Sequence, residues 1–375
     1  MARFSALYHK DHPMRRLLIS LFALALIAGQ AAAALAQATA PADAALAWMR
    51  TQQQPDGSFP GFGPGESADA VLAFAAAGQD PTRVTRDGRS ALDYLATQAA
   101  SYGASSPGAA AKLVLAAVAA GQDPTSFGGA NLLELIGAGY DPASGQYGAD
   151  VYGHALALIA TRAVGASPPP AAVRRLLDLQ LADGGWSFDG TAATGSDTNT
   201  TSLAVQALVG QRQADGARAQ ALAYLKGQQN DDGGFPYAQG SPFGNASDAN
   251  STAAVIQAIL AVGEDPAGAT WTRGGQTPLA ALAALQNASG ALRYQASQPD
   301  DNALATYQAV PALLRRALPV TTATVPGAAA LLAPAATTPP GNLPATGAAA
   351  ELPAGLALAA LALAALGLSL RRRTN

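Results

Sequence analysis

The chain has 375 residues, 49% of them hydrophobic and 13% charged, so it is not a solvated disordered polymer. Its net charge of −3 gives no basic surface for nucleic acid. The sequence contains no cysteine, which excludes disulfides, zinc sites with thiolate ligands and cysteine nucleophiles. Only one of its three histidines, His154, lies beyond the N-terminal leader, so we predict no metal site.

Residues 1–38 have the pattern of a secretory signal peptide. Arg15 and Arg16 precede an apolar run at 17–28, and small residues follow at two candidate cleavage sites, 34–36 and 36–38. The alternative is an uncleaved membrane anchor, but the apolar run is shorter than a bilayer span requires. We therefore expect cleavage and an extracellular protein.

Residues 39–318 contain a helical unit that is repeated six times. Apolar helical segments begin at spacings of 40 to 57 residues, near Ala44, Ala91, Leu132, Ala172, Ala221 and Pro278. This period is typical of solenoids and toroids. In each unit a turn-rich loop separates a more polar first helix from a second helix of small apolar residues. A helix that is apolar on most faces is buried all round, so we predict an inner ring of second helices within an outer ring.

A recurring turn motif follows the first helix of three units. It combines a glutamine, a glycine four residues later and an aromatic residue two positions further on: Gln53, Gly57 and Phe59; Gln180, Gly184 and Trp186; Gln229, Gly233 and Phe235. A fainter copy occupies 286–292. The glycine permits positive φ and ends the helix. We expect the glutamine to reach backbone groups at the start of the next helix and the aromatic ring to pack on the neighbouring unit.

These loops, carried by six helical hairpins, resemble the α/α toroid of terpenoid cyclases, protein prenyltransferase β subunits and cobalamin-binding transcobalamins. The resemblance covers roughly residues 44–316. It implies an all-α fold, an α6/α6 barrel of six helical hairpins. It implies no single activity, because unrelated functions share this fold.

The chemistry of these families does not carry over to this sequence. Prenyltransferases hold zinc with Asp, Cys and His, and this chain has no cysteine. Class II terpene cyclases protonate an alkene with the central Asp of Asp-x-Asp-Asp-Thr-Ala; the nearest matches, 248–253 and 197–202, have Asn250 and Asn199 at that position. An amide cannot act as a strong general acid. With 6% aromatic residues, the sequence also predicts few aromatic faces to stabilise a carbocation.

The same positions favour a ligand-binding rim. Asp150, Asp197 and Asp248 begin successive inner helices, where Asp is a preferred N-cap, and the caps of a closed ring converge on one rim. Buried glutamines on apolar helices also need partners. The candidate ligand-binding residues are Asp150, Tyr152, Asp197, Asn199, Gln206, Asp248, Asn250, Gln257 and Gln308. No cofactor is required. The resemblance to cobalamin carriers leaves cobalamin as one candidate ligand, although 319–342 could not supply the β domain that those carriers add.

Three residues are candidates for catalysis. Asp300 and Asp301 retain carboxylates in the last unit, and His154 could act as a general base on a sugar or lipid in the cavity. The alternative for His154 is a core histidine whose ring nitrogens are both hydrogen-bonded. These candidates leave a divergent terpenoid cyclase or a polysaccharide-active enzyme open as alternative functions.

The C-terminus contains a spacer and a sorting signal. Residues 319–342 are uncharged and rich in Pro, Ala and Thr, which is typical of a semi-extended spacer. In 343–375, Leu343, Pro344, Thr346 and Gly347 precede an apolar span at 352–370 and three arginines. This order resembles an LPxTG-type sortase signal, and it implies cleavage after Thr346 and attachment to a cell-envelope amine. A plain membrane anchor is the alternative.

Taken together, the sequence predicts a non-catalytic protein of the cell surface, anchored to the cell wall or membrane. A sortase-type transpeptidase is its expected processing partner, and the C-terminal span would hold it in the membrane before processing. A cofactor, an isoprenoid or a glycan is the expected ligand. The alternatives are an enzyme and a structural or adhesive display module. A toroid centre packed solid with alanine would favour the display module.

Overall fold

The computed structural model describes residues 39–334, so the predicted signal peptide and sorting signal lie outside the described range. The described part is built mainly from helices: α1 (39–52), α2 (Pro64–Ala76), α3 (Ala91–Gly103), α4 (Pro107–Ala119), α5 (Leu132–Ala138), α6 (Val151–Ala163), α7 (Pro170–Asp178), α8 (Thr198–Ala207), α9 (Asp215–Gln228), α10 (Ala249–Ala261), α11 (Pro278–Ala284), α12 (Ala303–Leu313) and α13 (Ala328–Leu332). Two short antiparallel hairpins accompany them, β1 (Thr85–Arg86) with β2 (Arg89–Ser90) and β3 (Tyr140–Asp141) with β4 (Gln146–Tyr147).

The even-numbered helices form a closed inner ring. Each of α2, α4, α6, α8, α10 and α12 packs against the next, and α12 packs against α2. The odd-numbered helices α1 to α11 alternate with them along the chain as the first helices of six hairpins. The prediction of an all-α toroid is thereby confirmed, and an open superhelix is excluded.

Small residues allow the inner helices to approach each other closely. At the crossing of α4 and α6, a Cβ added to Gly108 would lie 2.8 Å from the Cα of Gly153. Ala155, Ala157 and Ala160 on α6 are completely buried. Since both sides of an inner helix face other helices, the uniformly small and apolar sequence of these segments follows from their position.

In four of the six units the turn motif links the unit to the next through its glutamine. Gln180 Nε2 donates to Gly184 O and to Ala217 O in the first turn of α9, at 2.8 Å each. In the last unit, Gln286 Nε2 donates to Pro41 O in α1 at 2.7 Å, which closes the ring between the two ends of the repeat. The glutamines thus bind backbone groups near the next outer helix, as expected, but the groups are carbonyls. Amide N–H groups at helix starts are mostly satisfied by cap side chains instead.

The aromatic residues of the motif connect neighbouring parts of the ring. The Phe235 ring lies 6.3 Å from that of Trp271, which precedes α11, and the Phe59 ring lies 5.8 Å from that of Tyr307 on α12. Trp186 is completely buried and donates from Nε1 to Leu176 O of its own unit. The predicted packing on a neighbouring unit is therefore confirmed for two of the three residues.

The segment 317–334, which we call the C-terminal strap, folds back onto the toroid. Ala323 N donates to Ala163 O at 2.7 Å and Val325 N to Val164 O at 3.1 Å, at the end of α6. Helix α13 packs on α5, with Leu332 completely buried. A semi-extended spacer was expected from residue 319, but its first part is held on the toroid because its apolar residues cover the ends of α5 and α6. Among residues 39–334, no helix has the length and apolar character of a membrane span.

The strap depends in part on Tyr147, whose hydroxyl donates to Leu332 O at 2.9 Å. We expect Tyr147→Phe to weaken docking of the strap by about 1 kcal/mol, the usual net value of one hydrogen bond. Limited proteolysis should then cut the variant within 319–334 faster than the wild-type protein, with the toroid left intact. Equal cleavage rates would show that this bond does not hold the strap.

Candidate functional site

The inner helices surround a partly open cavity of about 110 Å³ at the centre of the toroid. Its walls come from α2, α6, α8, α10 and α12, from the loops that precede α8 and α10, and from Leu318 of the strap. The toroid centre is therefore hollow, and the condition that would favour a purely structural module is not met.

The side chains that line the cavity occur at successive levels along the parallel inner helices. Tyr152, Asn199 and Asn250 are each the second residue of their helix and lie at the N-terminal end. Gln308 lies in the middle of α12, and Gln206 and Gln257 come nearly two turns after the asparagines of α8 and α10. These six are among the predicted ligand-binding residues, and the structure brings them together around one cavity.

Asp197 joins this group and is the most constrained of its members. It is 1% exposed and lines the cavity, and its Oδ1 caps α8 by accepting from Thr200 N at 2.7 Å. Burial raises the pKa of Asp197 to about 6, against the lowering effect of Thr200 and of the Tyr237 hydroxyl. Although that hydroxyl lies near the carboxyl group, Oδ2 has no hydrogen-bond partner of good geometry among residues 39–334.

Two further buried atoms of the lining lack partners within the described part of the chain. They are Asn199 Oδ1 and the hydroxyl of Tyr307, which is completely buried. Leaving a polar atom buried without a partner costs about 1–3 kcal/mol. Three such atoms belong to residues of one cavity lining, which makes this cavity the candidate binding site.

Opposite Asp197, an ion pair and two amides form a hydrogen-bonded chain. Lys112 Nζ on α4 lies 2.8 Å from Asp69 Oδ2 on α2, with Lys112 20% and Asp69 11% exposed at the side chain. Gln308 donates through Nε2 to the same oxygen at 3.2 Å and accepts through Oε1 from Asn250 Nδ2 at 2.8 Å. Burial alone would lower the pKa of Lys112, but the negative charge of Asp69 outweighs it and the pKa is raised.

Sequence reasoning missed both Asp69 and Lys112. The second helix of each unit was described as small and apolar, although α2 carries Asp69 and α4 carries Lys112. The signal was present, because a charged residue within a helix that is buried on all sides needs a partner of opposite charge. Their pairing across 43 residues depends on the ring geometry.

Aromatic rings are concentrated at the cavity despite their low frequency in the chain. Tyr152, Phe188, Tyr237 and Tyr307 all contribute to the lining. The expectation of few aromatic faces at the site was therefore wrong, because the overall composition does not tell where the rings are placed. Burial raises the pKa of Tyr152 to about 12, so this side chain presents a neutral hydroxyl.

Two of the predicted rim carboxylates do not line the cavity. Asp248 is 1% exposed, and both its oxygens have partners. Oδ1 caps α10 by accepting from Ser251 N at 2.7 Å, and Oδ2 accepts from Ser251 Oγ at 2.8 Å. Burial raises the pKa of Asp248 to about 7. Asp150 caps α6 through Gly153 N at 2.6 Å. In the structure both carboxylates act as N-caps, and the prediction that they contact a ligand stays a prediction.

The three catalytic candidates are not among the residues that line the cavity. His154 is completely buried, its Nδ1 accepts from Tyr147 N at 3.0 Å, and its Nε2 lies 3.0 Å from Ala172 O. Burial lowers the pKa of His154 to about 4, so it is a neutral core residue. Asp300 and Asp301 are exposed, and the cap of α12 is Asn302. Asp301 instead accepts from Asn287 Nδ2 at 2.8 Å in its own loop.

The C-terminal strap closes the other end of the cavity. Gln206, which is 2% exposed, accepts from Leu318 N at 2.9 Å through Oε1 and donates to Ser202 O through Nε2. The predicted need of this buried glutamine for partners is thus met by the strap and by its own helix.

Comparison with solved structures confirms a terpenoid cyclase-like α/α toroid. A protein from Actinoplanes has a TM-score of 0.53 at 16% identity, over 74% of this chain and 99% of that one. The type II terpene cyclase MstE from Scytonema has a TM-score of 0.54 at 15% identity, over 75% of this chain and 98% of that one. Identity at this level shows the fold alone. No family model matches the sequence, and no curated protein sequence matches it.

Proposed function

We propose that this chain is a non-catalytic binding protein that holds a small polar molecule in the central cavity of its toroid. The observation that carries the proposal is a set of three buried polar atoms without partners, all on residues that line one cavity: Asp197 Oδ2, Asn199 Oδ1 and the Tyr307 hydroxyl. A stable fold that leaves such groups unsatisfied gives up free energy that a bound molecule would restore.

The volume of the cavity sets the size of the bound group. Ligand pockets for drug-sized molecules usually have roughly 300–1,000 Å³, whereas an engineered cavity of about 150 Å³ holds benzene. A volume of about 110 Å³ therefore fits a group of a few non-hydrogen atoms. This argues against cobalamin and against a folded isoprenoid chain. A larger molecule would have to place only one end group inside, passing the partly exposed Tyr152 and Tyr237 at the rim.

The residues of the cavity also argue against the enzymatic alternatives. Both positions that match the acid of class II terpene cyclases lie at the cavity, but they carry Asn199 and Asn250. Of the two carboxylates in the lining, Asp69 is neutralised by Lys112. A pKa of about 6 makes Asp197 too weak an acid to protonate an alkene.

A thermal-shift screen of small polar molecules tests the proposal, with the matched variant Asn199→Leu as control. Leucine has a similar volume and removes the unpartnered amide, so the variant should fold with equal or higher stability. We expect some compounds to raise the melting temperature of the wild-type domain and to lose that effect in the variant. A screen without such compounds, or hits that stabilise both proteins equally, would contradict the proposal.

We further propose that the binding domain is displayed on the cell surface. The signal-like segment 1–38 and the sorting signal 343–375 support this, and 335–342 would separate the strap from the anchor. Thr346→Ala should prevent covalent attachment, so that most of the protein moves from the detergent-resistant wall fraction to the membrane fraction. Ala345→Ser, at the variable position of the motif, should leave attachment intact. Equal fractions for wild type and Thr346→Ala would indicate a plain membrane anchor.

A further inference from the structure

We infer that the group held in the cavity is a primary ammonium, bound by Asp197 and Asn199 between aromatic rings. This inference rests on the proposed binding function and specifies the chemistry of its ligand. Three independent features of the cavity support it, namely its uncompensated charge, the type of the unpartnered atoms and the nature of the walls.

The first feature is a buried negative charge without a counter-ion. Within residues 39–334, only one ion pair includes a residue of the cavity lining, and it joins Lys112 to Asp69. The other ion pairs of the described part join Arg218 to Asp215, Arg273 to Asp231 and Arg315 to Asp265. Asp197 therefore keeps an unpaired charge once it is ionised. A buried charge is tolerated mainly where a partner compensates it, and here a cationic ligand would do so.

The second feature is the hydrogen-bonding type of the free atoms. Asp197 Oδ2 and Asn199 Oδ1, two residues apart at the start of α8, are both acceptors. A primary ammonium has three N–H donors and no acceptor, so its hydrogen-bonding type matches that of both oxygens. A single hydroxyl group can donate to only one of them. A carboxylate ligand would bring a second negative charge next to Asp197.

The third feature is the aromatic wall next to these acceptors. The ring centroids of Tyr152 and Phe188 lie 6.4 Å apart, and Tyr237 packs edge-to-face on Phe243 at 5.4 Å. Tyr152, Phe188 and Tyr237 line the cavity. Aromatic faces attract ammonium groups by about 0.5–2 kcal/mol, more when water is excluded. A cation would thus gain from the walls as well as from the carboxylate.

Titration calorimetry with ethanolamine and its neutral isostere ethylene glycol tests the inference. At pH 7.5 ethanolamine is protonated and Asp197 is mostly ionised. We expect the wild-type protein to bind ethanolamine at least about tenfold more tightly than ethylene glycol. Asp197→Asn should lose at least about tenfold in affinity for ethanolamine, since it keeps the cap but removes the charge. Asp248→Asn changes the same cap position one unit further on, outside the cavity lining, and should bind like the wild type.

Each other outcome has a definite meaning. Equal binding of the two compounds, or equal affinity in wild type and Asp197→Asn, would overturn the inference. Absence of ethanolamine binding would overturn it as well. If the thermal-shift screen then yields neutral or anionic ligands that Asn199→Leu no longer binds, the proposed function stands with a different ligand class. If the screen also yields nothing, both are wrong.

Discussion

Replacing Gly290 with alanine is expected to lower the free energy of unfolding by about 3–5 kcal/mol, enough to disrupt the closed ring. Gly290 has a φ of 95°, a conformation that favours glycine. A Cβ at this position would lie 2.4 Å from the carbonyl oxygen of Ala44 in α1. The same turn carries the Gln286 bond to Pro41, so the clash falls where the last unit meets the first. Backbone on both sides prevents relief by a rotamer change.

Urea unfolding followed by circular dichroism measures this loss. Gly263→Ala is the matched control, because Gly263 has a similar φ of 83° but no atom within 4 Å of an added Cβ. It should cost about 1–2 kcal/mol, the usual penalty for a side chain in the left-handed region. If the two variants are equally stable, the close contact at the seam does not contribute to ring closure.

The fold could be predicted from the sequence because each repeat carries the same physical information. The buried all-apolar helices, the turn glycines and the Gln-to-backbone links each recur at one position in the unit, so a misread copy is corrected by the others. The site could be predicted only in part. Asn199 and Asn250 were identified because they stand at the acid position of a cyclase-like motif, and Gln308 because it is an amide on an otherwise apolar helix.

What the repeat does not determine is which copies face the cavity. Asp197 and Asp248 occupy the same position in successive units, yet only Asp197 lines the cavity. Asp248 differs locally, because the Ser251 hydroxyl donates to its Oδ2 at 2.8 Å, whereas the backbone bond from Thr200 N reaches Oδ1 of Asp197. The exposed positions of Asp300 and Asp301 have a comparable origin, since Asn302 takes the cap position in the last unit.

The unpaired charge of Asp197 has a consequence for stability that is independent of any ligand. The pKa of this carboxyl rises from 3.8 to about 6 on folding because of burial. A group whose pKa is raised in the folded state binds protons more tightly there, so stability falls as pH rises from about 4 to 6 and stays lower above that range. A shift of about two units corresponds to about 3 kcal/mol. The molecule thus tolerates a destabilising charge at its cavity, as functional sites commonly do.

Asp197→Asn should therefore stabilise the ligand-free protein at pH 7.5 by about 1–3 kcal/mol, because asparagine keeps the cap and carries no charge. Urea unfolding of both proteins between pH 4 and 8 measures the difference, which should shrink as the pH falls through 6. Asp80→Asn is the surface control, because Asp80 also caps a turn by accepting from Thr82 N. Hydrogen bonds from Thr82 lower the pKa of Asp80, so replacing this carboxylate should give no stabilisation. A variant less stable than wild type at every pH would mean that the Asp197 carboxylate has a compensating partner, and the argument for a cationic ligand would then lose its basis.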